Sequence, residues 1–157
     1  MKKNIIMAVL FLLISVFNVY TESDYADQPF NFQAPNTIDE IIALHGKPLR
    51  KNIYVVGEFN DKEHFLFYND MIVKVFEDVE YKQYKIAYYI NSPGIVLKYG
   101  INVGIKIDLV EKYLGKPGHK GKDRIVYYGE EHTLLFLFDK YSQVIQIEWD
   151  YYWDWFW

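Results

Sequence analysis

The sequence predicts an α+β fold: two tandem helix-plus-antiparallel-sheet units forming one compact domain, with the helices on one sheet face. Three observations lead there. A twelve-residue stretch recurs, each copy of it closes on Gly-Lys-Pro, and each is followed by short apolar runs divided by turn residues.

The recurrence is TIDEIIALHGKP at residues 37–48 against KIDLVEKYLGKP at 106–117, an offset of 69 with five identities. Further on, Glu63-His64 aligns with Glu131-His132 at an offset of 68, each pair opening an apolar run. Two copies of one supersecondary unit account for this spacing. The boundaries that follow are repeat 1 over residues 37–90 and repeat 2 over residues 91–157.

Each copy opens with a short amphipathic helix. In the first, Thr37 can cap the open backbone amides while Glu40 reaches back. Ile38, Ile41, Ile42 and His45 then share one face. Gly46 and Pro48 stop the helix, the one by adopting a backbone that other residues avoid, the other by blocking continuation. Ile107, Val110 and Leu114 form the matching stripe in the second copy, and Gly115 and Pro117 repeat the stop.

Strands are expected at residues 52–58, 63–69 and 71–77, and again at 124–128, 132–138 and 143–153, because β-rich runs there are separated by turn formers such as Asn69-Asp70 and Asp139-Lys140. Between the repeats, residues 81–90 and 95–99 are expected to pair as a hairpin across Asn91-Ser92-Pro93-Gly94. Two short helices can cover one sheet face only. Several strands are nevertheless apolar on both sides, with Leu134 and Phe136 facing one way and Leu135 and Leu137 the other. The second face must therefore meet the other half-sheet or a partner.

Ahead of the repeats, Lys2 and Lys3 precede an apolar run at residues 5–17, the order of a secretory signal peptide. Thr21 and Ser23 are the best small-residue pair for cleavage, so residues 1–23 are read as the signal and Asp24 as the mature start. An uncleaved anchor and a buried core helix are the alternatives. Residues 24–36, with two prolines and no helical period, read as an extended lead-in. The expected location is therefore periplasmic or extracellular.

Composition narrows the chemistry. The 157 residues include no cysteine, which excludes thiolate catalysis, Cys-ligated zinc and disulfides. A net charge of −4 gives no general attraction to nucleic acid. Membrane contact is expected only through the signal segment or the C-terminal aromatics. Ser92 and Ser142 sit in turns unlike a nucleophile elbow. The four histidines, His45, His64, His119 and His132, lack the spacing that puts two ligands on one helix face, and His64 and His132 read as structural residues at strand entries. No catalytic residue, metal ligand or cofactor is assigned.

Two binding candidates remain. Lys116, Lys120 and Lys122 cluster just past a helix C-terminus, where cations are favourable through the helix dipole alone, and anion binding is the competing reading. All four tryptophans lie in the last nine residues. From Ile145 onward, odd positions are apolar or aromatic while Gln146, Glu148, Asp150 and Asp154 lie opposite, which is strand alternation. Trp149 and Tyr151 are assigned to the core, and Tyr152, Trp153, Trp155, Phe156 and Trp157 to a contact surface. An alternating strand with an aromatic end also suits a small outer-membrane barrel.

Residues 100–104 (GINVG), the helix ending at Leu114-Gly115-Lys116-Pro117, and the strands ending at residues 144–147 (VIQI) resemble one repeat of the SmpA/OmlA and β-lactamase-inhibitory-protein (BLIP-like) superfamily. The resemblance spans roughly residues 37–153 and implies helical elements laid on antiparallel sheet, in tandem. It carries over no functional residue. The resulting expectation is an exported, non-catalytic protein-binding or scaffold protein of the cell envelope, with inhibition of an extracellular enzyme as its most concrete form. A module binding glycan or cell-wall polysaccharide through the C-terminal aromatics is the alternative.

Overall fold

A computed structural model of the chain describes residues 22–151. Along them run α1 (Glu22–Asp27), α2 (Ile38–His45), β1 (Arg50–Val56), β2 (Asp61–Phe67), β3 (Met71–Asp78) and β4 (Gln83–Ile90). A 3-10 turn at Lys98–Gly100 leads to α3 (Ile107–Leu114), β5 (His119–Lys120), β6 (Arg124–Tyr128), β7 (His132–Phe138) and β8 (Val144–Tyr151).

The helix ends follow the local chemistry. Thr37 accepts the Glu40 amide through its side chain, and the Glu40 carboxylate takes the Asn36 amide at 2.7 Å. Gly46 closes α2 at φ 81° and Gly115 closes α3 at φ 82°, backbone angles that a side chain would strain. Lys106 precedes α3 without a side-chain cap.

The eight strands make one antiparallel sheet in the order β1-β2-β3-β4-β8-β7-β6-β5. This corrects the expectation of two helix-plus-sheet units. The last strand of the first meander pairs with the last strand of the second, aligning Tyr88 with Trp149 and Ile90 with Ile147, so the half-sheets join edge to edge. The expected hairpin of residues 81–90 with 95–99 does not form for the same reason. β4 is taken up by β3 and β8, while Leu97 makes a single bridge to Phe30 and turns inward with Ile101 to the core.

Nor do the helices form a layer over the sheet. An eight-residue helix is about 12 Å long, whereas eight strands span about 34 Å. Ile41, Ile107, Val110 and Leu114 are all that α2 and α3 contribute to the buried core. Irregular chain completes the cover. Residues 24–36, expected to be extended, begin within α1 and then bring Phe30 onto Tyr88 and Trp149, with Phe32 stacked on Phe30. Beneath them the core runs across the sheet through Leu66, Val73, Tyr88, Trp149, Leu134 and Tyr127, one from each central strand.

Candidate functional site

Strand alternation sends the intervening residues to the opposite face, where the described contacts are between strands of the sheet itself. Phe65 meets the Tyr54 ring edge-on at 5.7 Å, and the Arg50 guanidinium lies 3.9 Å over Phe67. Lys74 reaches Glu63 at 3.1 Å across β2 and β3. Tyr89 donates to Asp150 at 2.7 Å, and Gln146 donates to Glu148 at 2.5 Å. Burial raises the Glu148 carboxyl above its usual value, with Asp150 adding to the shift and the Gln146 hydrogen bond opposing it.

At the centre of this face is a depression of ≈ 170 Å³ lined by Glu63, Lys74, Phe76, Lys85, Ala87 and Asp150. Phe65, Phe67 and Phe76 are half-buried around it, and Tyr54 and Tyr128 are exposed toward its flanks. Aromatic and aliphatic side chains thus alternate with charges of both signs. Such a surface can desolvate against a partner while its charges select orientation.

On the core side, a cleft of ≈ 840 Å³ opens where α1 meets the β6–β7 turn. Asp27, the last residue of α1, accepts the amides of Glu130, Glu131 and His132 at 2.8, 3.0 and 3.0 Å. Gly129 is required beside it, since a Cβ there would run into the Asp27 carboxylate. The His132 ring stacks on Trp149 at 4.1 Å and 10°, with Tyr151 at 4.4 Å. Its Nδ1 is 3.4 Å from Asp27 Oδ1, an electrostatic contact without the geometry of a hydrogen bond, and its Nε2 has no partner among the described residues.

Burial pushes His132 below the ordinary histidine value, outweighing the upward pull of Asp27 and Glu131, and burial does the same to His45 beneath Phe32 and Tyr88. The unfolded chain therefore takes up these protons first as pH falls, and the two histidines stabilise the fold fully above about pH 6.5 and progressively less below it. Glu148 acts oppositely: its raised carboxyl favours the folded state fully below about pH 4.5 and progressively less as pH rises above that value. Thermal melts from pH 7.5 to 5.5 should show a falling Tm, and His132→Phe, which keeps a ring on Trp149, should flatten that limb. A Tm that is constant or rises toward pH 5.5 would contradict the assignment.

The sequence-derived site residues are dispersed. Lys120 is held by Glu111 of α3 at 2.5 Å, while Lys116 and Lys122 are exposed. Trp149 is buried and Tyr151 half-buried on the core face. Tyr152, Trp153, Trp155, Phe156 and Trp157 lie outside the described residues, as do residues 1–21. A β-bulge between β7 and β8 interrupts the alternation read from Ile145, leaving Val144 buried and Ile145 exposed. His64 is on β2 and His132 on β7, and both are buried. His64 bonds Glu77 at 2.8 Å. Ser92 donates to Asp70 at 2.6 Å. No trio of His, Asp or Glu placed to hold a metal ion occurs among the described residues.

Sequence reasoning missed Asp27 and the Tyr89–Asp150 pair. Their partners are 103–105 and 61 residues away, and no local pattern marks them.

Fold and surface together define an open antiparallel-sheet protein with a core on one side and a mixed aromatic and charged face on the other. No family model and no curated protein matches the chain. Among solved structures it is similar to a DUF4309 family protein (YjgB) from Bacillus subtilis, at 15% identity over 82% of this chain and 91% of that one, with a TM-score of 0.44. No described helix is long and apolar enough to cross a membrane.

Proposed function

We propose that this is an exported, non-catalytic binding or scaffold protein of the cell envelope, whose working surface is the sheet face opposite the core. Inhibition of an extracellular enzyme is its most concrete form. The observation that carries the reading is the make-up of that face: Tyr54, Phe65, Phe67, Phe76 and Tyr128 interleaved with Arg50, Lys74, Lys85 and Glu148, on the side away from the helix residues that enter the core. Aromatic and arginine side chains at the centre of a protein surface supply most of the binding energy of known interfaces. Lys2, Lys3 and the apolar run at residues 5–17 support export.

The test is capture of secreted and envelope proteins by the chain and by two variants, Lys85→Glu and Phe76→Ala, which are cross-strand neighbours on β4 and β3. Circular dichroism establishes that both fold. A protein retained by the wild type should be lost or weakened about tenfold or more by each variant, as expected for a central contact. Equal capture by all three would remove this face from consideration, and retention only on insoluble wall polysaccharide would establish the glycan alternative instead.

A further inference from the structure

The two edges of the sheet are unlike. β5 is two residues long, a short edge of the kind that resists pairing, whereas β1 presents seven residues without proline or glycine. Beside and along β1, Leu49 is 72% exposed, Val55 65% and Ile53 52%. We propose that β1 pairs antiparallel with β1 of a second copy of this chain, with the two-fold axis at Ile53, joining two sheets into one.

Ile53 is the midpoint of the strand, so only this register overlaps all seven residues. It sets Lys51 opposite Val55, Asn52 opposite Tyr54, and Arg50 opposite Val56. Parallel pairing would instead lay Arg50 and Lys51 beside their own copies, and like charges directly opposite are unfavourable. In the antiparallel arrangement Glu58, two residues past the end of one strand, falls opposite Pro48, next to Lys47 of the other copy. Lys47, Lys51 and Glu58 have no ion-pair partner among the described residues. Lys47 and Glu58, left over within one copy, thus bring opposite charges near each other at both ends of the junction, while Lys51 lies beside Val55.

The faces match as well. Lys51 and Ile53 stand opposite Leu66 and His64 of β2, on the core side of the sheet. The second copy would cover Ile53 with its own Ile53 and Val55 with the aliphatic stem of Lys51. Both cores would then continue across the junction.

The full chain has no cysteine, so a single introduced one reports without background. Opposed residues of an antiparallel pair have Cα atoms about 4.5–5.5 Å apart, within reach of a disulfide. Ile53→Cys should therefore form a covalent dimer on mild oxidation. Phe59→Cys, exposed but far from the axis, should not. In sedimentation velocity the wild type should be a dimer. Val55→Lys places a lysine opposite each Lys51 and should weaken it at least about tenfold, because two symmetric pairs become repulsive. Val55→Glu places a carboxylate there and should preserve it. Val55 is exposed, so neither change threatens the fold. A monomeric wild type, equal effects of the two Val55 substitutions, or equal crosslinking from positions 53 and 59 would each overturn the proposal.

Discussion

Replacing Trp149 with alanine is expected to destabilise the fold by about 3–5 kcal/mol, the range for removing a large buried aromatic side chain. Trp149 is 3% exposed at the seam where the two meanders meet. Its ring contacts Phe30 edge-on at 5.2 Å, Tyr88 at 5.9 Å and His132 face to face at 4.1 Å, and its Nε1 donates to the Ala26 carbonyl at 2.7 Å. It therefore joins β8 to β4, to β7 and to the segment that follows α1. A domain of this size is stable by about 5–15 kcal/mol, so the loss is a large fraction of the whole. Thermal melting followed by circular dichroism should show Tm falling by about 10–20 °C. Trp149→Phe keeps ring packing and loses the hydrogen bond, and should cost about 1 kcal/mol. A Trp149→Ala effect no larger than that of Trp149→Phe would mean that the seam does not depend on this residue.

Asp27→Ala should cost about 2–3 kcal/mol, since hydrogen bonds to a charged group are worth about 1.5–3 kcal/mol each and exposed amides recover part of that from water. The loss should be local. With the carboxylate gone, the amides of Glu130, Glu131 and His132 have no acceptor from α1, and hydrogen exchange at those three positions should accelerate well ahead of exchange in β3 and β4. Asp27→Asn retains an acceptor for two of the three amides and turns a donor toward the third, so an intermediate loss is expected. Uniform acceleration across the sheet would show that Asp27 supports global stability and not the docking of α1.

Both residues illustrate where sequence reading stops. The helix over residues 38–45 is legible because its cap, its stripe and its stop lie within twelve residues of one another. β6 and β7 are legible because apolar runs bounded by turn formers need no distant information. The union of β4 with β8 is different. Ile86, Tyr88 and Ile90 have the alternation of a strand, but alternation names no partner, and a hairpin to residues 95–99 satisfies the local pattern equally well. The candidate surface is only half legible for the same reason. Leu135 and Leu137 announce a second apolar face, whereas its charged centre forms only when Glu63, Lys74, Lys85 and Asp150 converge from four strands.

The sequence by itself determined the short helices and their glycine stops, most strand positions and the absence of thiol chemistry, since each depends on composition or on contacts within a few residues. Tertiary structure alone decided that the strands make one sheet, that Asp27 ties α1 to the β6–β7 turn, and that one edge is long and apolar while the other is short. Those outcomes depend on which backbone groups and side chains compete successfully for partners far along the chain, and that competition is resolved only when the whole core packs.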